Sequence, residues 1–194
     1  MSTSLRWTSA DLEVMPDDGK RYEIIDGELY VSKQPHALHQ LLCTDLARLL
    51  GNWSVSTGLG TTMFAPGVIF ADDADVVPDL VWISAARLAN LLRADGHLHG
   101  PPELVVEVLS PGTHNDRRDR EAKLKLYSRR GVDEYWIFDW RSRAVAVYRR
   151  NGEALHLVAT LTSDDTLTSP ALPGFTGSLG EIFASLSKSD PDQG

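Results

Sequence analysis

Leu104-Val105-Val106-Glu107-Val108-Leu109 is a run of strand-forming apolar side chains interrupted by one carboxylate. The loop 93–102, rich in Gly, His and Pro, precedes it, and Ser110-Pro111-Gly112 breaks it. A run of this length and composition reads as a central strand covered on both faces. An ionised Glu107 there carries a desolvation penalty of several kcal/mol, so it needs a basic side chain, a proton shared with another acid, or a metal ion.

After this strand the spacing predicts a helix from about residue 115 to Arg130, stopped by Gly131. Strands follow near 134–138, 143–149 and 154–160, and a short helix near 179–183. Before it, Tyr22 to Ile25 and Glu28 to Val31 flank Asp26-Gly27, the pair that supplies the positive φ angles of a two-residue hairpin turn. Thr8 to Leu12 opens a short helix running toward Pro16. Leu38, Leu42, Leu46, Leu49 and Leu50 recur at helical spacing over 36–50, and Gly51 is read as the stop. Strands are expected near 53–57, 61–70 and 76–83, and Ser84 as the cap of a helix reaching Leu92. The fold class is therefore mixed α and β around one sheet.

The chain has 194 residues, 42% hydrophobic and 24% charged, the balance of one soluble domain, placed at 1–187 with a disordered polar tail at 188–194. No apolar stretch approaches the ~20 residues of a membrane span. Residues 1–11 lack the pattern of a secretory signal, and the single Cys43 permits no internal disulfide, so the cytoplasm is the expected compartment. Net charge of −8 argues against a protein held on nucleic acid by bulk electrostatics. Yet 11 of the 19 Lys and Arg fall between Arg117 and Arg150, while Asp72, Asp73, Asp75 and Asp79 crowd together. A local basic face and a local acidic pocket can coexist.

Asp79 is a second acid in an apolar run, Val76 to Trp82, and Glu23 a third. Oxygen-only ligands from Asp79 and Glu107 favour Mg²⁺ or Mn²⁺, and Glu23 could complete the cluster. At 100° per residue, Lys123 shares a helix face with Asp116, Asp119, Leu126 and Tyr127, while Arg118, Glu121 and Lys125 point away. Counting rise along strand and helix brings Lys123 to the level of Glu107. A lysine snorkelling along the helix edge toward water is an equal alternative. On these residues Asp79→Asn should preserve or raise stability by relieving repulsion among unpaired acids, and Lys123→Met should keep the fold. His97 and His99 read as an exposed loop, and Cys43 as buried packing.

Together these residues resemble the PD-(D/E)XK nuclease superfamily, and specifically its Uma-two family of restriction endonucleases. The resemblance runs from Tyr22-Glu23-Ile24-Ile25-Asp26-Gly27-Glu28-Leu29 through Val77-Pro78-Asp79-Leu80 and Pro102 to Pro111. It continues through Asp119 to Tyr127, Gly131 to Trp136 and Leu172-Pro173-Gly174-Phe175, covering nearly the whole chain. Pro78-Asp79 matches the PD, and Glu107 the acid of the second half-motif. Leu109 stands where that half-motif has lysine, and Lys123 on the following helix takes its place. Glu23 matches an N-terminal acid, Asp119 and Tyr127 helix positions, and His39 a helix histidine read as a supporting residue.

The resemblance implies a restriction-endonuclease-like core, a mixed central sheet flanked by helices. It also implies metal-assisted hydrolysis of DNA, with Mg²⁺ or Mn²⁺ on Asp79 and Glu107 and Lys123 steadying the attacking water or the developing charge. Arg117, Arg118, Arg120, Arg129 and Arg130 could touch flanking phosphates, although neighbouring acids make a solvated helix end the simpler reading. A homodimer is expected from the need to address two strands. The competing reading is a catalytically silent nuclease-fold module that binds DNA or another partner.

Overall fold

In the computed structural model, which describes residues 5–110 and 117–187, the apolar run around Glu107 forms strand β7 (Leu104–Val108), buried along its length. It pairs in parallel with β8 (Glu134–Asp139) and antiparallel with β6 (Leu80–Ser84). With β3 (Gly60–Phe64), β9 (Ala144–Asn151) and β10 (Ala154–Leu161) they make a mixed six-stranded sheet ordered β10-β9-β8-β7-β6-β3.

The two-residue period of the strands divides the core in two. Leu104, Val106 and Val108 join Leu80, Trp82 and Phe138 on one face, beneath α2 (Ala37–Thr57) and α5 (Leu179–Ser187). Val105 joins Val81, Ile83 and Tyr135 on the other. That second face is covered by α4 (Leu124–Arg130) and by an antiparallel sheet ordered β2-β1-β5-β4. Its strands are β1 (Arg21–Ile25), β2 (Glu28–Ser32), β4 (Val68–Ala71) and β5 (Ala74–Val76). The remaining elements are α1 (Ser9–Leu12), α3 (Ala85–Leu91) and the pair β11 (Thr166–Thr168) and β12 (Thr176–Ser178). The expected mixed central sheet flanked by helices is the observed architecture.

Local chemistry explains the elements read correctly. Asp26 and Gly27 have φ of 56° and 78°, the two positive values of a tight hairpin turn. Ser84 Oγ accepts the Arg87 N–H at 3.2 Å and starts α3.

Four expectations are corrected. Helix α2 does not stop at Gly51 but runs on through the stretch expected as a strand at 53–57, ending where Gly58 takes φ of 67°. Packing outweighs the ~1 kcal/mol cost of a helical glycine. The Trp53 ring lies 5.5 Å from that of Trp82, and Ser54 Oγ accepts the Trp82 Nε1–H at 3.0 Å. The expected strands at 61–70 and 76–83 are each two strands in different sheets, broken at Ala65-Pro66-Gly67 and Val77-Pro78-Asp79. Each break carries a proline, which cannot donate to a ladder. The chain thus leaves the six-stranded sheet after β3 and re-enters it at β6, with Asp79 at the point of re-entry.

The expected helix start near residue 115 lies outside the described residues, and the turns Arg118–Lys123 are π-helical. The closing helix continues past Phe183 to Ser187, and the expected tail at 188–194 lies outside the described residues. Among the described residues no helix is long and apolar enough to cross a membrane.

Candidate active site

Glu107 projects from β7 on the face opposite Val106 and Val108, toward α4 and the second sheet. Lys123 Nζ donates to its Oε1 at 2.8 Å, and Tyr127 Oη donates to the same oxygen at 3.0 Å. Nζ also lies 2.9 Å from Oε1 of Glu23 on β1, which accepts the Val77 N–H at 2.9 Å. Lys123 is 0% exposed, so the snorkelling alternative is set aside. Counting rise along strand and helix had put it at the right level.

The π-helical turn changes which neighbours it has. Hydrogen bonding from i to i+5 widens the turn and brings residues five apart onto one face. Arg118, expected to point away, is therefore buried with Lys123. Its Nε donates to Asp119 Oδ1 at 2.8 Å, its Nη1 donates to Ser32 Oγ, and Nη1 lies 3.8 Å from Glu23 Oε2. Asp119 Oδ1 is 4.0 Å from Lys123 Nζ, and Tyr135 Oη donates to the Asp119 carbonyl at 3.0 Å.

Asp79, at the head of β6, is not an unpaired acid. Arg21 Nη1 lies 3.2 Å from Oδ1, while Oδ2 is 3.1 Å from His39 Nε2 and accepts the Val108 N–H at 2.9 Å. Burial alone would raise its pKa, but His39, Arg21 and the Val108 N–H hold it far below the ordinary carboxylate range. A depressed folded pKa contributes stability that is present above the unfolded value and lost as pH falls. Asp79→Asn is accordingly expected to lower stability, by about 1–3 kcal/mol in melts near neutral pH. An unchanged or raised melting temperature would restore the repulsion account. Sequence reasoning missed Arg21, although its position two residues before Glu23 on the same face of β1 was an available signal.

Glu107 is the opposite case. Burial, together with the charges of Asp79, Asp119 and Glu23, pushes its pKa up to about 8 against the pull of Lys123. Four buried carboxylates, Glu23, Asp79, Glu107 and Asp119, face three cations, Arg21, Arg118 and Lys123. Glu23 Oε2 has no hydrogen-bond partner among the described residues.

A cleft of about 200 Å³ leads to Asp79 between Lys20, Arg21, Lys33, His39 and Arg118. Its cationic wall comes from Lys20, Arg21 and Lys33 on the hairpin β1–β2 and its flanks and from Arg118, one of the helix arginines expected at phosphates. The other four lie outside its lining and are ion-paired: Arg117 with Glu121 at 3.1 Å, Arg120 with Asp139 at 3.3 Å, Arg130 with Asp73 at 3.1 Å, and Arg129 with Asp26. His97 and His99 lie on a loop around Asp95, with His99 Nε2 2.7 Å from its carboxylate, as the loop reading expected.

Cys43, one helical turn after His39, is buried as expected, with Sγ 3.6 Å from His39 Nδ1. The sequence Cys43, His39, Asp79 mimics a nucleophile relay. Burial, then the charges of Asp79 and Glu107, raises the thiol pKa well above its ordinary range, so Cys43 is not an activated nucleophile in the metal-free protein.

The chain matches the family described as Uma2, putative restriction endonuclease, over residues 9–181. Its structure is similar to the crystal structure of a putative nuclease belonging to DUF820 from Anabaena variabilis. That comparison gives a TM-score of 0.73 and 16% identity and covers 92% of this chain and 98% of that one. The type IIG restriction endonuclease BpuSI matches at a TM-score of 0.43 and 13% identity, over 78% of this chain and 15% of that one. None of the curated proteins compared with the chain matches it.

Proposed function

The chain belongs to the Uma2 family of putative restriction endonucleases, and from that premise we propose that it is a divalent-metal-dependent endonuclease of PD-(D/E)XK type that hydrolyses DNA. The observation that carries this reading is the gathering of Glu23 and Glu107, from strands of two different sheets, around one buried lysine, with Asp79 near enough for its charge to act on Glu107 and itself lining a cationic cleft.

The residues fit a hard divalent cation. Asp79 and Glu107 would hold it, since their donors are all oxygen, and the excess of carboxylates over cations is relieved by added positive charge. Mg²⁺ or Mn²⁺ there supplies charge neutralisation at the phosphate and an acidified water. The protein's own groups do the rest. Lys123 Nζ, held between Glu107 and Glu23, would meet the developing negative charge. Tyr127 fixes the Glu107 carboxylate, and His39 and the Val108 N–H fix that of Asp79, so the ligands lose little freedom on loading. Lys20, Arg21, Lys33 and Arg118 offer charge to the phosphates of a strand entering the cleft. A homodimer belongs to the same proposal, read from particle mass in solution.

The test is nicking of supercoiled plasmid with Mg²⁺, Mn²⁺ or EDTA, on wild type and Asp79→Ala. Metal-dependent nicking by wild type alone is expected. The silent-module reading is favoured by the net charge of −8 and by the acids paired with the helix arginines. Plasmid that is retained but uncut under every metal would replace the nuclease reading with that one.

A further inference from the structure

We propose that His39, Cys43 and Asp79 form a second cation site of softer chemistry, one that takes Zn²⁺ and withdraws Asp79 from the oxygen-only site. The competition rests on the nuclease reading, whereas the binding does not. Each of the three residues offers a ligand atom, and these atoms lie within 4.8 Å of one another, which no other trio of His, Cys, Asp or Glu among the described residues does.

The donor set is the one zinc favours: a thiolate, an imidazole and a carboxylate. His39 and Cys43 stand four apart on α2 and so share one side of the helix, and Asp79 reaches them from the head of β6. Tetrahedral Zn²⁺ with bonds of ~2.0–2.3 Å needs roughly 3.3–3.6 Å between ligand atoms. Cys43 Sγ lies 3.6 Å from His39 Nδ1 and Asp79 Oδ2 lies 3.1 Å from His39 Nε2, so the imidazole stands between thiol and carboxylate and gives one of its two nitrogens to the ion. Closure of the trio, whose ligand atoms lie within 4.8 Å of one another, onto one ion needs side-chain movement of roughly 1–1.5 Å. The cleft lined by His39, Gln40 and Asp79 provides the entry path and room for water as fourth ligand.

Charge favours the same occupant. One Zn²⁺, one thiolate and one carboxylate sum to zero, which a buried site among Leu42, Leu46 and Val108 tolerates. Loading is balanced by release of the Cys43 thiol proton to solvent, with His39 ligating through its unprotonated nitrogen. Arg21 faces the other carboxylate oxygen, Oδ1 at 3.2 Å, and also holds the Val77 carbonyl, 3.1 Å from Nη1, so it can keep both partners. A hard ion gains nothing from the thiol, so Mg²⁺ and Mn²⁺ remain on the oxygen side.

Co²⁺ is the spectroscopic probe, because a thiolate ligand gives a sulfur-to-metal charge-transfer band. Wild-type full-length protein should bind one Co²⁺ with that band, and Zn²⁺ should displace it. Cys43→Ala should lose the band, weaken Zn²⁺ binding by about 10²-fold and keep Mg²⁺-dependent nicking. Cys43→Ser, closer in size, guards against a folding failure of the alanine variant and should behave alike. Absence of the band in wild type, or Zn²⁺ affinity in both variants within about threefold of wild type, would overturn the site. Zn²⁺ affinity indifferent to excess Mn²⁺ would overturn the sharing of Asp79. None of these readings needs turnover, so a protein that never cuts DNA still decides them, and failure of the nuclease reading stays distinguishable.

Discussion

Lys123→Met is expected to reduce plasmid nicking by about 10²-fold or more and to destabilise the metal-free protein by about 3–5 kcal/mol. The sequence alone supported only the first half, because methionine keeps the apolar stem. The structure adds what the ammonium holds together: Glu107 at 2.8 Å, Glu23 at 2.9 Å and Asp119 at 4.0 Å, all buried. Removing one member of a buried ion cluster leaves the others uncompensated, which costs far more than the net worth of the pair.

The pH dependence gives the mechanism away. Glu107 already has a folded pKa of about 8, above its unfolded value, and loses its main opposing charge in the variant. A carboxyl with a raised folded pKa binds more protons folded than unfolded, so stability falls as pH rises from the unfolded value through the folded one. The deficit of Lys123→Met should therefore be smaller in urea melts near pH 6 than near pH 9. Lys125→Met, at an exposed position two residues further on, is the control and should be nearly silent. Wild-type stability together with wild-type nicking in Lys123→Met would remove the lysine from the site altogether.

The parts of this site that were legible in the sequence are those fixed by local rules. The apolar run around Glu107 declares a buried strand, Asp26-Gly27 declares the hairpin that carries Glu23, and a count of rises returns Lys123 to the level of Glu107. Each depends on one element or on two joined by a short connection. The parts that were not legible depend on packing between distant segments. The Trp53 contact with Trp82 carries α2 across Gly51, and no periodicity in the helix itself announces that. Asp79 sits where the chain returns from one sheet to another. In sequence, Val76 to Trp82 looks like one strand, because a single proline inside an apolar run does not reveal that its two sides belong to different sheets. Arg118 was assigned to the wrong face by a 100° wheel applied across a π-helical turn. Nothing in Arg-Asp-Arg-Glu-Ala-Lys, taken alone, favours five-residue bonding over four. In the folded chain that turn sets Arg118 and Lys123 together beside the buried acids Glu23 and Asp119.

Glu107→Gln separates ligand chemistry from folding better than any change at Lys123. The amide is nearly isosteric, and its oxygen can still accept from Lys123 Nζ and Tyr127 Oη. It also brings the buried carboxylates down to the number of the cations, so the metal-free variant should match wild type within about 1 kcal/mol near pH 6, where Glu107 is protonated in any case. Wild-type stability should decline from there toward pH 8 as burial resists ionisation, and the variant should decline less.

Metal binding should show the reverse pattern. A cation must displace the Glu107 proton, so wild-type Mn²⁺ affinity in the calorimeter should rise with pH up to about 8 and then level off. The variant should bind at least ~10-fold more weakly above that point, without the rise, and nicking should be lost. Mn²⁺ affinity equal to wild type across the range, with the fold intact, would mean that Glu107 serves Lys123 and not the metal. The cation would then have to be held by Asp79 without it.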